Sequence, residues 1–213
     1  MKISRFGRTE FKISQLTFGG GWVGGILIDP DKEIMHKALS LASEKGINWI
    51  DTAESYSEGK SEKNIGDLLP LFSNDKFQIS TKARLDPSSS ESIVSQIDRK
   101  IDASLGRLQR NFVELYQLHN RIQNISDKNN FSVKDILKKL DYDTILFDAG
   151  DFRNKTVIDT ITKHNMSDTN ILSLFKKKTK KLAIIMDEID GMNSGDKGGI
   201  NSLIKLIRPK KTK

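Results

Sequence analysis

A chain of 213 residues with a net charge of +7, 36% apolar residues and no cysteine is long enough for one large domain or two small ones. The missing cysteines exclude disulfides, thiolate catalysis and cysteine-type zinc sites, and three scattered histidines do not suggest a histidine-rich metal site, so redox chemistry would need a bound cofactor. No stretch approaches about 18 consecutive apolar residues and MKISRFGRTE is charged where a signal peptide needs an apolar run, which predicts a cytoplasmic protein with no membrane partner.

Met1 to Phe11 alternates loosely around Gly7, the pattern of a small hairpin. Ile13 to Phe18 then reads as a strand running into Gly19, Gly20, Gly21 and Trp22. Such a glycine run either lets backbone approach a ligand or supplies a loop with positive φ. From Asp31 to Lys45, apolar residues at Ile34, Met35, Ala38, Leu39, Leu41 and Ala42 have the spacing of an amphipathic helix, which Gly46 stops. A short strand, Asn48–Asp51, follows, and five residues past its end stands Tyr56. Further along, a helix is predicted over Ser61–Leu69 and ended by Pro70, a strand over Phe77–Thr81, a helix over Ser88–Leu105 and a strand over Val113–Leu118. Strand and helix alternating at this length predict parallel βα units.

Asp51 and Tyr56 follow one predicted strand, Lys82 the next and His119 a third, and side chains at the carboxyl ends of successive parallel strands converge on one face. Taken singly, Asp51 reads as a turn cap, Lys82 as a solvated loop lysine and His119 as a satisfied polar cap. Their joint order points to a site. The segments FGRT, Gly19–Gly21, GINWIDTAESY, ISTK, LYQLHNR and FSVKDIL, spread over residues 3 to about 137, resemble the aldo-keto reductase family. FSVKDIL is similar to that family's loop after its fourth strand. The resemblance implies a TIM-type βα barrel, of which this segment supplies the first four strands, and reduction of a small carbonyl substrate with NADPH as hydride donor. It further implies that Tyr56 is the general acid, that Lys82 supplies the positive charge favouring a phenol's anion, that Asp51 holds Lys82, and that His119 directs the substrate oxygen. Gly20, Gly21, Trp22 and Asp51 would contact the nicotinamide end of the cofactor. Ser57 departs from the pattern, since many members have glycine after the tyrosine. With the family's later strands unmatched, weak cofactor affinity and self-association through unpaired strand edges are expected.

From Lys138 the vocabulary changes, and residues 138–213 carry +6 of the +7 net charge. Tyr142–Phe147 reads as a strand ending in Asp148, Asn154–His164 as a helix, Ile171–Phe175 as a short apolar run, and Leu182–Met186 as a strand ending on Asp187 and Glu188. An apolar strand ending in Asp-Glu is a Walker B pattern, one carboxylate for Mg²⁺ and one for the attacking water. DAGDFRNK and IIMDEIDGMNSGDKGGINSLIKLIRPKK resemble the large subunit of replication factor C, a clamp-loading AAA+ ATPase. The resemblance implies ATP and Mg²⁺ at Asp187 and Glu188. No G-x-x-x-x-G-K-[ST] occurs, so no phosphate cradle accompanies them. The expected architecture is therefore α/β throughout: a half TIM-type barrel over 1–137, then a partial AAA+, P-loop-NTPase-like segment over 138–213. Carbonyl reduction is the leading function; a DNA clamp-loader ATPase fragment with non-specific nucleic-acid affinity, or an inactive fusion product, are the alternatives.

Overall fold

The computed structural model describes residues 1–7, 9–21, 25–73, 76–122, 131–147 and 181–186. The chain divides into two units, Met1–Asn120 and Arg121–Lys213.

The first unit opens with an antiparallel hairpin, β1 (Ile3–Arg5) against β2 (Lys12–Ser14), with Gly7 at φ 59 in its turn. The segment Ile13–Phe18, expected as one strand, is split. Its first residues close the hairpin, and Phe18–Gly19 form β3 of a separate, parallel sheet. Asn48 ties hairpin to sheet: its Nδ2 donates to Lys12 O (2.8 Å) and its Oδ1 accepts from Ser14 N (2.7 Å). Phe6 packs on Trp49, ring centroids 5.3 Å apart.

The sheet has four strands in the order β3, β4 (Trp49–Asp51), β5 (Gln78–Ala83) and β6 (Leu115–Leu118), all parallel. Sequence neighbours are sheet neighbours throughout. That is the order of a singly wound βα barrel; a doubly wound sheet reverses direction at a switch point. Crossovers are made by α1 (Lys32–Glu44), α2 (Lys60–Leu68) and α3 (Ile93–Leu108). Each start has a local cause. Asp31 caps α1 by accepting from Glu33 N and Ile34 N, and Ser92 caps α3 by accepting from Ser95 N. Gly59, at φ 84, admits the chain into α2.

Leu27, Met35, Leu39, Ile50, Ile65, Phe77, Ile79 and Leu108 form one buried cluster. Full burial of each such side chain contributes about 1.5–3 kcal/mol. Register explains the site on the other face. Ile50 lies opposite Ile79 and both enter this core, so the alternating residues Asp51, Ser80 and Lys82 share the opposite face. Because Lys82 is the penultimate residue of β5, and does not follow the strand as expected, its direction is set by the sheet.

In the second unit Ser132 caps α4 (Val133–Lys139) through Lys134 N, and Arg121 bridges Ser132. FSVKDIL, expected as a loop, is thus mostly helix. A left-handed Asp141 (φ 63) leads into β7 (Tyr142–Phe147), which pairs in parallel with β8 (Lys181–Met186) over six residue pairs. The predicted elements Asn154–His164 and Ile171–Phe175, and the carboxylates Asp187 and Glu188, lie outside the described residues.

Candidate active site

The carboxyl end of β4 presents Asp51, and β5 presents Ser80 and Lys82 beside it. Asp51 accepts on both oxygens: Oδ1 from Ser80 Oγ (2.7 Å) and Oδ2 from Lys82 Nζ (2.6 Å). Ser80 is itself oriented by Trp49, whose Nε1 donates to Ser80 Oγ (3.2 Å). The ion pair is partly buried, with side-chain exposures of 14% for Lys82 and 30% for Asp51, so water screens it less than a surface pair.

An ammonium has three protons and no lone pair. Lys82 directs one to Asp51 Oδ2, one to the Thr52 carbonyl (2.8 Å) and one to Tyr56 Oη (3.2 Å). Nζ also lies 4.8 Å from the centroid of the Tyr56 ring. Tyr56 Oη must therefore accept from Lys82, and its own proton is left to be given to something else. Tyr116 shows the opposite case. Opposite Thr81 in register, on the far face of the sheet, its Oη is buried without a partner among the described residues, and burial with the Glu54 and Glu62 charges pushes it up to about 12.

Tyr56 is carried by a tight turn after β4, in which Tyr56 N donates to Ala53 O (3.1 Å) and Ser61 N to Tyr56 O (3.3 Å). Ser57, Glu58 and Gly59 are all left-handed, at φ 49, 55 and 84. Ser57 therefore stands where the backbone favours glycine, at a cost of roughly 1 kcal/mol. Glu54 anchors this turn: its carboxylate accepts from Arg84 N (2.9 Å) and Lys100 Nζ (2.9 Å), and its backbone N donates to Lys82 O (3.0 Å).

His119, just past β6, is held by its backbone N donating to Ala83 O (2.8 Å). Next to it, Asn120 pairs with both backbone groups of Leu85 (2.8 and 2.9 Å) and extends the β5–β6 ladder. The imidazole meets the Tyr56 ring edge to face, centroids 5.7 Å apart and planes at 80°. Burial, then the charges of Lys82 and Arg84, lower its basicity and favour the neutral ring.

The structure thus brings Asp51, Tyr56, Lys82 and His119 to one rim. Gly20 and Gly21 join them, for a reason other than positive φ. A Cβ on Gly20 would lie 2.7 Å from Ser61 Oγ and 3.1 Å from Asp51 O, and one on Gly21 would lie 3.2 Å from Tyr56 ring atoms. Trp22, Asp187 and Glu188 are not among the described residues, and among the described residues no cluster of potential metal ligands occurs. Sequence reasoning missed Ser80, Ser55 and Glu54. The two-residue step back from Lys82 could have found Ser80; the other two have no local signal.

The aldo/keto reductase family model matches residues 15–178, across the Leu137–Lys138 junction. Aldo-keto reductase YhdN of Bacillus subtilis is 27% identical over 125 residues, covering 56% of this chain and 38% of that protein. The NADH-specific methylglyoxal reductase of Escherichia coli is 27% identical over 136 residues, covering 56% and 42%. Replication factor C subunit 1 of Saccharomyces cerevisiae is 32% identical over 84 residues, covering 36% of this chain and 10% of that protein. The solved aldo-keto reductase AKR11C1 of Bacillus halodurans (holo form) matches with a TM-score of 0.50 at 20% identity, over 87% of this chain and 57% of that one, a likeness of fold. The chain spans about two fifths of the length of the reductases it matches in sequence.

Proposed function

From the premise that the chain belongs to the aldo/keto reductase family, we propose that it carries the proton-donating site of a nicotinamide-dependent carbonyl reductase, with NADPH as hydride donor and a small aldehyde or ketone as substrate. Bound NADPH would supply the hydride that reduces the carbonyl carbon. Tyr56 gives its phenolic proton to the carbonyl oxygen, producing the alcohol, and the phenol is reprotonated from water. Lys82, donating to Oη at 3.2 Å, stabilises the negative charge that develops there, and Asp51 keeps Lys82 aimed. His119 directs the carbonyl oxygen. Gly20, Gly21 and Asp51, with Trp22 beyond the described residues, would face the nicotinamide. The fit rests on the crowding at Gly20 and Gly21, which sets bare backbone flush against Asp51 and the Tyr56 ring.

The observation that carries the reading is the commitment of all three Lys82 protons, which leaves Tyr56 as a proton donor without an acceptor among the described residues. The test is oxidation of NADPH, and of NADH in parallel, by the full chain with a panel of small aldehydes and ketones. Turnover should appear with wild type and fall about 10²- to 10⁴-fold in Tyr56→Phe. Equal turnover in wild type and Tyr56→Phe, or none in either with the chain folded and cofactor-saturated, would refute it. Cofactor titration followed by fluorescence should show weak binding, since the later strands of the family's barrel have no counterpart in the four-stranded sheet.

A further inference from the structure

Ser55 immediately precedes Tyr56, and its Oγ lies 3.2 Å from His119 Nδ1. That contact decides what the imidazole can do, because a neutral ring has one N–H and one lone pair on different nitrogens. If Nδ1 holds the proton, it is spent on Ser55, and Nε2 presents a lone pair that competes with a carbonyl for the Tyr56 proton. If Ser55 donates to Nδ1, the proton sits on Nε2, which takes no partner among the described residues. A carbonyl oxygen with two lone pairs then meets two donors, Tyr56 O–H and His119 Nε2–H.

We propose that Ser55 is a positioning residue that holds His119 in the tautomer protonated at Nε2, by donating its hydroxyl proton to Nδ1. The inference deepens, and rests on, the carbonyl-reduction reading. Ring orientation supports it. With His119 N tied to Ala83 O (2.8 Å) and the ring set at 80° to Tyr56, the bond at Nδ1 is the polar contact that selects one face of the imidazole. Among the described residues the hydroxyl of Ser55 makes no other side-chain hydrogen bond, so its proton can turn toward Nδ1.

The test is ¹⁵N NMR of the full chain with labelled histidine, without cofactor or substrate, at a pH of about 8 where histidine is neutral. Wild type should show a protonated Nε2 and an unprotonated Nδ1 at His119, assigned by its loss in His119→Gln. Ser55→Ala should lower the ratio of the Nε2–H to the Nδ1–H form by about 3- to 10-fold, the worth of one hydrogen bond, and Ser55→Thr should restore it. His36, packed against Phe72 with ring centroids 5.5 Å apart and planes tilted by 38° in a different part of the unit, reports that each variant is folded. Predominance of the Nδ1–H form in wild type, or a ratio unmoved in folded Ser55→Ala, would overturn the proposal. Since nothing in the sample turns over, a failure of carbonyl reduction leaves this readout intact, and an unexpected tautomer in a chain that does reduce carbonyls refutes the role of Ser55 alone.

Discussion

His119 is lodged where burial and two cations, Lys82 and Arg84, oppose its protonation. The unfolded chain binds a proton at an ordinary imidazole as pH falls through about 6.5, while the folded chain holds off until lower pH. Over that interval the unfolded state binds more protons, so the residue's contribution to stability is full above the ordinary value and is lost as pH falls through the folded one. The difference in urea midpoint between wild type and His119→Gln should therefore shrink from wild type's side on acidification below neutrality. A difference that grows in favour of wild type would show the imidazole to be stabilised as a cation. At this scale the sequence was legible where order along the chain carries chemistry: Asp51, Tyr56 and His119 stand at or past strand ends as expected, and Lys82, expected just after its strand, is the penultimate residue of β5. It was silent on Glu54, because its importance lies in a carboxylate that accepts from Lys100, a contact made across 46 residues, whereas Ser80 on Asp51 Oδ1 could be reached only by stepping back two residues from Lys82 along the strand.

Among the elements, the ones read with nearly their true bounds carry their own punctuation. Asp31 caps α1 and Gly46, at φ 79, ends it; β7 runs over the predicted Tyr142–Phe147. The start of α3 was misplaced for a physical reason. Ser88 to Ser92 offers four serines able to cap, and Gln96, buried at 2% exposure, selects the last by holding Asp86 and Glu91 outside the helix. The pairing of α2 with α3 was invisible for a similar reason. Glu62 is fully buried, with Oε2 accepting from Arg107 Nε (2.7 Å) and Oε1 from Thr81 Oγ1, so α2 is bound to α3 and β5 at once. Gly66 lets the helices approach this closely: a Cβ there would run into the Arg107 carbonyl and lie 2.8 Å from the Leu108 carbonyl carbon. Gly66→Ala sets a helix-propensity gain of about 1 kcal/mol against overpacking of typically about 1–3 kcal/mol. The obstacle is backbone and cannot swing aside, so a net loss of stability is expected in urea unfolding; a variant more stable than wild type would show that α2 can shift at little cost.

Over the whole molecule, the aldo/keto reductase match runs past Lys138 to residue 178 and takes in β7, while the parallel pairing of β7 with β8 does not by itself distinguish a barrel from an NTPase sheet. Barrels and NTPase sheets both use parallel strands joined by long crossovers. What separates them is a phosphate cradle. The paired carboxylates of a Walker B strand hold Mg²⁺ jointly with phosphates that backbone N–H groups have already bound, and this sequence contains no G-x-x-x-x-G-K-[ST] to bind phosphates beside Asp187 and Glu188. ATP turnover by the chain should therefore be at background and unchanged in Glu188→Gln. The same segment holds +6 of the net charge of +7, much of it in lysines such as Lys176, Lys177, Lys178, Lys180 and Lys181. Lysines meeting phosphates release counterions, an attraction that reads charge and not base sequence. Binding to DNA of unrelated sequences should then be equal in strength and fall with salt, with a log–log slope of about −3 to −5 if four or five phosphates are neutralised. Replacing Lys176, Lys177 and Lys178 by glutamine should flatten that slope by about the number of contacts removed. Glu188-dependent ATP hydrolysis, or DNA affinity indifferent to salt, would mean that the segment works by site chemistry and that its charge is incidental.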